Sequence, residues 1–280
     1  MIQDYLDSMT ICSELKEKRV LVTGASSGIG AGIARAFGTS GAEVLIQYRS
    51  NPSGAAQIVS QINEAGGVGT SFQADLRSEE ALDALFDHID MTWGGIDILI
   101  NNAGIVHKGS ALDTTSDYWD NTMNINLRAP YLLSRHAARR MIAAETGGNI
   151  VNITSIAGTR SGEYASAYAT SKAALDMLTS VLALEWAPHA IRVNAVGPGV
   201  VPVERQQERL QAAAEQWLPH LPLGRFGTPE DVAATVLFLC SDGASWITGQ
   251  TIICDGGALI QGSGPKGPAP ALPAPPSPVE

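Results

Sequence analysis

The stretch SAYATSK, Ser166 to Lys172, sets a tyrosine and a lysine four residues apart among small side chains. On a helix, residues so spaced share one face, so the phenol and the ammonium point the same way. A phenol titrating near ~10 is a poor acid/base at neutral pH. An ammonium beside it stabilises the phenolate and brings the proton toward the working range. Such a pair could exchange a proton with an oxygen atom. The same spacing also occurs as an exposed helical pair with no chemistry, so the surrounding chain must decide.

The elements that would carry the pair come from an alternating pattern that starts at Lys18. Short β-rich runs lie at 19–23, 43–48, 68–74, 97–100, 149–154, 191–196 and 251–254. Longer amphipathic stretches separate them, such as 52–65, with Pro52 at its start and Gly66-Gly67 past its end, and 78–93. Nearly continuous apolar strands between helices imply a parallel sheet covered on both faces. The expectation is one doubly wound α/β domain over residues 15–260, after an N-terminal extension at 1–14.

Composition narrows the function classes. Of 280 residues, 45% are hydrophobic, which is ample for a core. No apolar run approaches the ~18 residues a membrane helix needs, and the acidic N-terminus lacks the pattern of a secretory signal. Cys12, Cys240 and Cys254 are scattered and odd in number, which fits a reducing cytoplasm rather than disulfides or zinc. The five histidines (His88, His107, His136, His189 and His220) show no ligand spacing, so no metal is expected. A net charge of −10 argues against nucleic acid, which is bound by neutralising phosphates. Residues 261–280 hold seven of the fifteen prolines and almost no large apolar side chains. They read as a disordered tail.

The first strand runs into TGASSGIG, Thr23 to Gly30. A strand, a glycine-rich turn and a helix start form a cradle for a pyrophosphate. A tight strand-to-helix turn with no ligand is the alternative.

With this turn, the sequence resembles the short-chain dehydrogenase/reductase family. Other marks of that family follow in order: NNAG at 101–104, NIN at 124–126, NITS at 152–155, YATSK at 168–172, VGPG at 196–199 and PLGRFGTPEDVA at 222–233. The resemblance spans residues 15–257 and implies a Rossmann fold, a nicotinamide dinucleotide and a catalytic tetrad. The tetrad would be Asn126, Ser155, Tyr168 and Lys172. Tyr168 would be the acid/base, and Lys172 would lower its pKa and hold the nicotinamide ribose. Ser155 would orient the substrate oxygen, and Asn126 would hold a water that relays protons. Local alternatives remain, since Ser155 or Thr154 could simply cap a helix.

The resemblance places the dinucleotide against Gly24, Ser26, Ser27, Gly28, Ile29 and Gly30, then Asn102, Ala103 and Gly104, then Pro198, Gly199 and Val201. Asp75 and Leu76 would meet the adenine, although Asp75 could instead cap the helix near Ser78. After the second strand no carboxylate is present to hold ribose hydroxyls; Arg49 and Ser50 stand there. Arginine suits a 2′-phosphate, so NADP(H) is expected to be preferred, with some tolerance of NAD(H). One departure is Val203, where the family has a threonine that bonds the carboxamide. Backbone near Val201 or the Glu204 side chain would have to substitute.

Residues 203–227 should form a helical lid carrying specificity. Trp217, Leu218 and His220 could line its pocket or merely pack. With Glu163, Tyr164 and His107 nearby, a sugar or polyol is favoured, as in the glucose dehydrogenase branch. A 3-oxoacyl-carrier-protein reductase has the same tetrad but must dock an acidic carrier, which would need a basic patch from Arg128, Arg139 and Arg140. A non-catalytic NADP-binding sensor or scaffold is a rival of another class. Members of the family often form tetramers through the helices that bear Asn126 and Tyr168 and through the last strand.

Overall fold

A computed structural model describes residues 13–106, 109–160, 162–203 and 214–260. The expected extension at 1–14 and the tail at 261–280 therefore lie almost wholly outside the described residues. Seven strands form one parallel sheet: β1 (Arg19–Thr23), β2 (Glu43–Tyr48), β3 (Val68–Gln73), β4 (Ile98–Asn101), β5 (Gly148–Ile153), β6 (Ile191–Pro198) and β7 (Thr251–Cys254). Their spatial order is β3-β2-β1-β4-β5-β6-β7, so the winding reverses between β1 and β4. In open sheets of this kind, ligands bind beyond the carboxyl ends of the strands at such a reversal.

Successive side chains of a strand point to opposite faces, and the sequence uses both. Val20, Val22, Val44 and Ile46 face a layer containing Ile33 and Phe37 of helix α1 (Gly28–Thr39), Ile58 and Ile62 of α2 (Pro52–Glu64) and Val232 and Val236 of α9 (Pro229–Cys240). Leu21, Leu45 and Leu99 face the other layer, which holds Leu82 and Phe86 of α3 (Glu79–Trp93), Leu132 and Leu133 of α5 (Ala129–Ala143) and Leu182 of α7 (Ser166–Trp186). Each such large side chain withdrawn from water contributes about 1.5–3 kcal/mol before entropy is charged. The alternating pattern predicted this doubly wound sheet, and the strands fall within a residue or two of their expected bounds.

At the amino edge, Arg19 grips Asp97 with Nε to Oδ2 at 2.8 Å and Nη2 to Oδ1 at 2.7 Å. That clamp joins β1 to the start of β4 far from the carboxyl edge. One irregularity matters for function. Helix α4 (Ser116–Met123) passes into α5 through a π-helical turn at Asn124–Arg128. Pro130 has no N–H to donate to the carbonyl of residue 126, which loosens the regular ladder there. The described part of the expected lid is not one long helix. Helical residues Ala214–Trp217 (α8) lead into a 3-10 turn at Leu218–His220, and 221–227 are not helical, while 204–213 lie outside the described residues. Pro219 and Pro222 in this stretch oppose a continuous helix.

Candidate active site

The carboxyl edge is held open by polar cross-ties that the strands themselves provide. Thr23, the last residue of β1, accepts hydrogen bonds at Oγ1 from the backbone N–H groups of Asn102 and Ala103, both at 3.0 Å. Its hydroxyl donates to the Ile100 carbonyl at 3.2 Å. The Asn102 amide returns the tie by donating to the Thr23 carbonyl at 2.8 Å. Gln47, buried in β2, accepts from the Gly24 N–H at 3.0 Å and donates to the Ala74 carbonyl at 2.8 Å. These bonds fix the relative heights of the loops after β1, β2, β3 and β4.

Within that frame the glycine turn has a definite geometry. Gly24 has φ +63°, and a Cβ there would stand 2.9 Å from the Ala103 Cα. Gly30 must also be bare, because its Cβ would fall 2.3 Å from the Asn102 amide nitrogen. Ser27 is extended and makes no side-chain cap bond to α1. The start of α1 directs its N–H groups toward this turn, and Ser26, Ser27, Gly28 and Ile29 surround them. That donor set fits a pyrophosphate.

The other expected cofactor residues line the same edge. Arg49 and Ser50 are exposed beyond β2, and the Arg49 guanidinium makes no hydrogen bond or ion pair among the described residues. Asp75 and Leu76 lie beyond β3. Asp75 does not cap the next helix: Ser78 does, accepting from the Ala81 N–H. Both carboxylate oxygens of Asp75 instead engage Arg77, whose hydrogen bonds hold its carboxyl down at about 2. Gly104 lies beyond β4. Pro198 ends β6, followed by Gly199 and the buried Val201, with Val203 half-buried.

Asn126, Ser155, Tyr168 and Lys172 come together beside this edge. Ser155 follows β5 and caps the short helix α6 (Ile156–Thr159), accepting from the Ala157 N–H at 3.1 Å. The cap and the functional expectation coexist, because the Ser155 hydroxyl also bonds the Tyr168 phenol. Thr154 is not the cap; its hydroxyl lies 3.2 Å from the Val196 carbonyl. Lys172 Nζ donates to the Ile153 carbonyl at 2.7 Å and stands 5.9 Å from the centre of the Tyr168 ring. Asn126 is fully buried in the π turn, accepting from the Ile105 N–H and donating to the Ile105 carbonyl and Ser171 Oγ. A Cβ at Gly104 would meet both Asn126 Oδ1, at 3.3 Å, and Lys172 Nζ, at 3.6 Å.

The electrostatics differ from the sequence expectation at one point. Burial raises the Tyr168 phenol above its usual value, and the Ser155 hydrogen bond only opposes that rise. Lys172 was expected to lower it. The ammonium instead turns to the Ile153 carbonyl, and burial depresses its own pKa to about 8, with Asp176 opposing.

The specificity region is partly described. His107 and Glu204 lie outside the described residues. Trp217, Leu218 and His220 are absent from the lining of a cavity of about 90 Å³ beside Val201, which Leu223 and Arg225 border instead. Tyr164, in the loop before Tyr168, has φ +63°, with its carbonyl bonded to the Gly109 N–H. The larger cleft, about 420 Å³, includes Trp119 and Ser166. Ser166 precedes Tyr168 by two residues, so it faces around α7 away from the phenol. Sequence reasoning missed Thr23, Gln47 and Asp176. A polar residue inside an apolar strand, as in EVLIQY, and an acid continuing the four-residue spacing from Lys172 were the available signals.

Thr23→Val keeps the volume but strips two amides of their acceptor. It should lower unfolding stability by about 2 kcal/mol in urea denaturation; an unchanged midpoint would remove Thr23 from the cross-tie.

A family model described as Enoyl-(Acyl carrier protein) reductase matches residues 24–258. The chain is 40% identical over 252 residues to a 3beta-hydroxysteroid dehydrogenase 1 of Eggerthella lenta, covering 88% of this chain and 95% of that one. It is 39% identical over 249 residues to an NAD-dependent glycerol dehydrogenase of Listeria innocua, covering 88% and 96%. A solved short-chain type dehydrogenase/reductase from Mycobacterium marinum superposes with a TM-score of 0.84 at 34% identity, over 89% of this chain and 98% of that one. A Beutenbergia cavernae protein, provisionally named as an NAD(P)-dependent gluconate 5-dehydrogenase and holding NADP at low occupancy, gives 0.83 at 34% identity, over 89% and 100%.

Proposed function

The chain belongs to the short-chain dehydrogenase/reductase family, and from that premise we propose that it interconverts a secondary alcohol and a carbonyl, Tyr168 exchanging the proton at the substrate oxygen. The observation that carries this is the cluster of Ser155, Tyr168 and Lys172 at the carboxyl edge of the sheet, beside the reversal. A nicotinamide dinucleotide bound there supplies or accepts the hydride. Ser155, already bonded to the phenol, is placed to hold the reacting oxygen next to it. The Tyr168 proton passes to that oxygen in reduction and returns in oxidation.

NADP(H) is the preferred cofactor in this proposal, with NAD(H) tolerated. Its support is Arg49, exposed at the end of β2, whose charge reaches Asp75 without forming an ion pair. The relatives do not decide the matter, one being NAD-dependent and a solved neighbour holding NADP.

For the substrate we favour a sugar or polyol. Glu163 and Tyr164 present polar ends in the loop ahead of Tyr168, and a 39% identical relative acts on glycerol. The carrier-protein alternative is less favoured, because two of its three basic residues are engaged: Arg128 pairs with Glu79 and Arg140 binds Asp90, while Arg139 stays exposed. The exposed Met177, Val181 and Leu184 along α7 support assembly into a homotetramer. The three scattered cysteines, Cys12, Cys240 and Cys254, support a cytoplasmic location. No helix among the described residues is long and apolar enough to cross a membrane.

Tyr168→Phe should lower kcat by at least about 100-fold while dinucleotide affinity, read by fluorescence titration, changes little. Turnover is to be followed by reduced-nicotinamide absorbance over aldoses, polyols and acetoacetyl thioesters. Retained kcat in the variant would refute the assignment, and binding without any turnover across the panel would favour the sensor. In the same assay Arg49→Ala should cut the NADP(H)/NAD(H) ratio of kcat/KM by about tenfold or more. An unchanged ratio would place the phosphate elsewhere.

A further inference from the structure

Tyr168 and Lys172 begin a stripe that has a third member. Asp176 lies four residues beyond Lys172 on the same face of α7. It is half-buried, and its Oδ1 accepts a hydrogen bond from Thr251 Oγ1 at 2.9 Å. The Thr154 hydroxyl bonds the same carboxylate. Its Oδ2 stands 2.8 Å from where a Cβ of residue 158 would sit, so Gly158 makes the room it needs. The carboxylate thus joins α7 to β7 and to the segments on both sides of Ser155. A solvated carboxylate on an outer face would need none of these partners.

One turn earlier stands the buried cation Lys172, which the carboxylate reaches through space, without an ion-pair contact. The Asp176 charge raises the Lys172 pKa, and the Lys172 charge lowers that of Asp176. The other groups around the stripe are the Ile153 carbonyl and Thr154 hydroxyl at the end of β5 and Gly158 of α6. The Val196 carbonyl of β6, Thr251 of β7 and Asn126 of the π turn complete the set. None of these titrates; Tyr168 does.

We propose that Asp176 is a positioning residue for the Tyr168–Lys172 pair: its carboxylate, fixed by Thr154 and Thr251, is the counter-charge that keeps the buried Lys172 an ammonium. For its catalytic consequence the inference rests on Tyr168 being the acid/base; for the charge itself it does not. Removing a negative charge makes a neighbouring proton easier to lose, so neutral variants must lower the Lys172 midpoint.

The chain has five lysines, which suits carbon-13 labelling at the lysine ε-carbon and NMR titration of the protein alone. The Lys172 signal is identified by its loss in Lys172→Met. Asp176→Asn should lower the Lys172 midpoint by about one pH unit. Asp176→Ser, smaller and also neutral, should do the same if the amide variant fails to fold, and Asp176→Glu should keep the wild-type midpoint. In the loaded enzyme, the alkaline limb of carbonyl reduction should move down with the midpoint, whereas a purely structural lesion would depress kcat at every pH. Neutral variants that titrate as wild type would overturn the proposal. Turnover by Tyr168→Phe would sink the acid/base assignment without moving any NMR midpoint, so the two failures are distinguishable.

Discussion

An ammonium taken out of water is among the costlier things a fold can contain, and Lys172 is 4% exposed. Such a charge persists only where oxygen atoms and an opposite charge are already in place. Here the Ile153 carbonyl takes one proton at 2.7 Å, and Asp176 supplies the charge. Both depend on long-range structure, since Ile153 ends β5 and Asp176 is tied to β7. The site's central cation is thus affordable only once the second half of the sheet has assembled around α7.

The same economy governs the opposite side of the edge. Thr23, Asn102 and Gln47 spend their polar groups on neighbouring backbone, so few are left unpaired beneath a site that must stay open. Glycines at 24 and 30 then allow the loops to approach one another more closely than any side chain would permit. The start of α1 carries no side-chain cap from Ser27. Two kinds of order therefore meet at one edge: dense bonding that fixes loop heights, and deliberate absences that leave room and donors for a ligand.

Much of this was legible in the chain. The switch between short β-rich runs and amphipathic helices fixed the order of elements, because period and punctuation are local properties. The glycine turn and the Tyr–Lys spacing located the edge for the same reason. What sequence hid is what depends on partners distant in the chain. Ser155 could be read as cap or as substrate ligand, and it serves as a cap while also bonding a phenol thirteen positions later. The π turn at Asn126 was invisible to helical periodicity, although Pro130 four residues on marked it. That burial raises the Tyr168 phenol in the chain alone was not legible either, because the sequence shows that an ammonium is near and not which carbonyl it faces.

The most direct test of the account is a structure of the complex with NADP(H). The nicotinamide ring should lie beside the Tyr168 hydroxyl on the Ser155 side, with the pyrophosphate at the start of α1. A ring seated away from that phenol, with Tyr168 still enclosed by protein alone, would contradict the claim that this edge performs the chemistry.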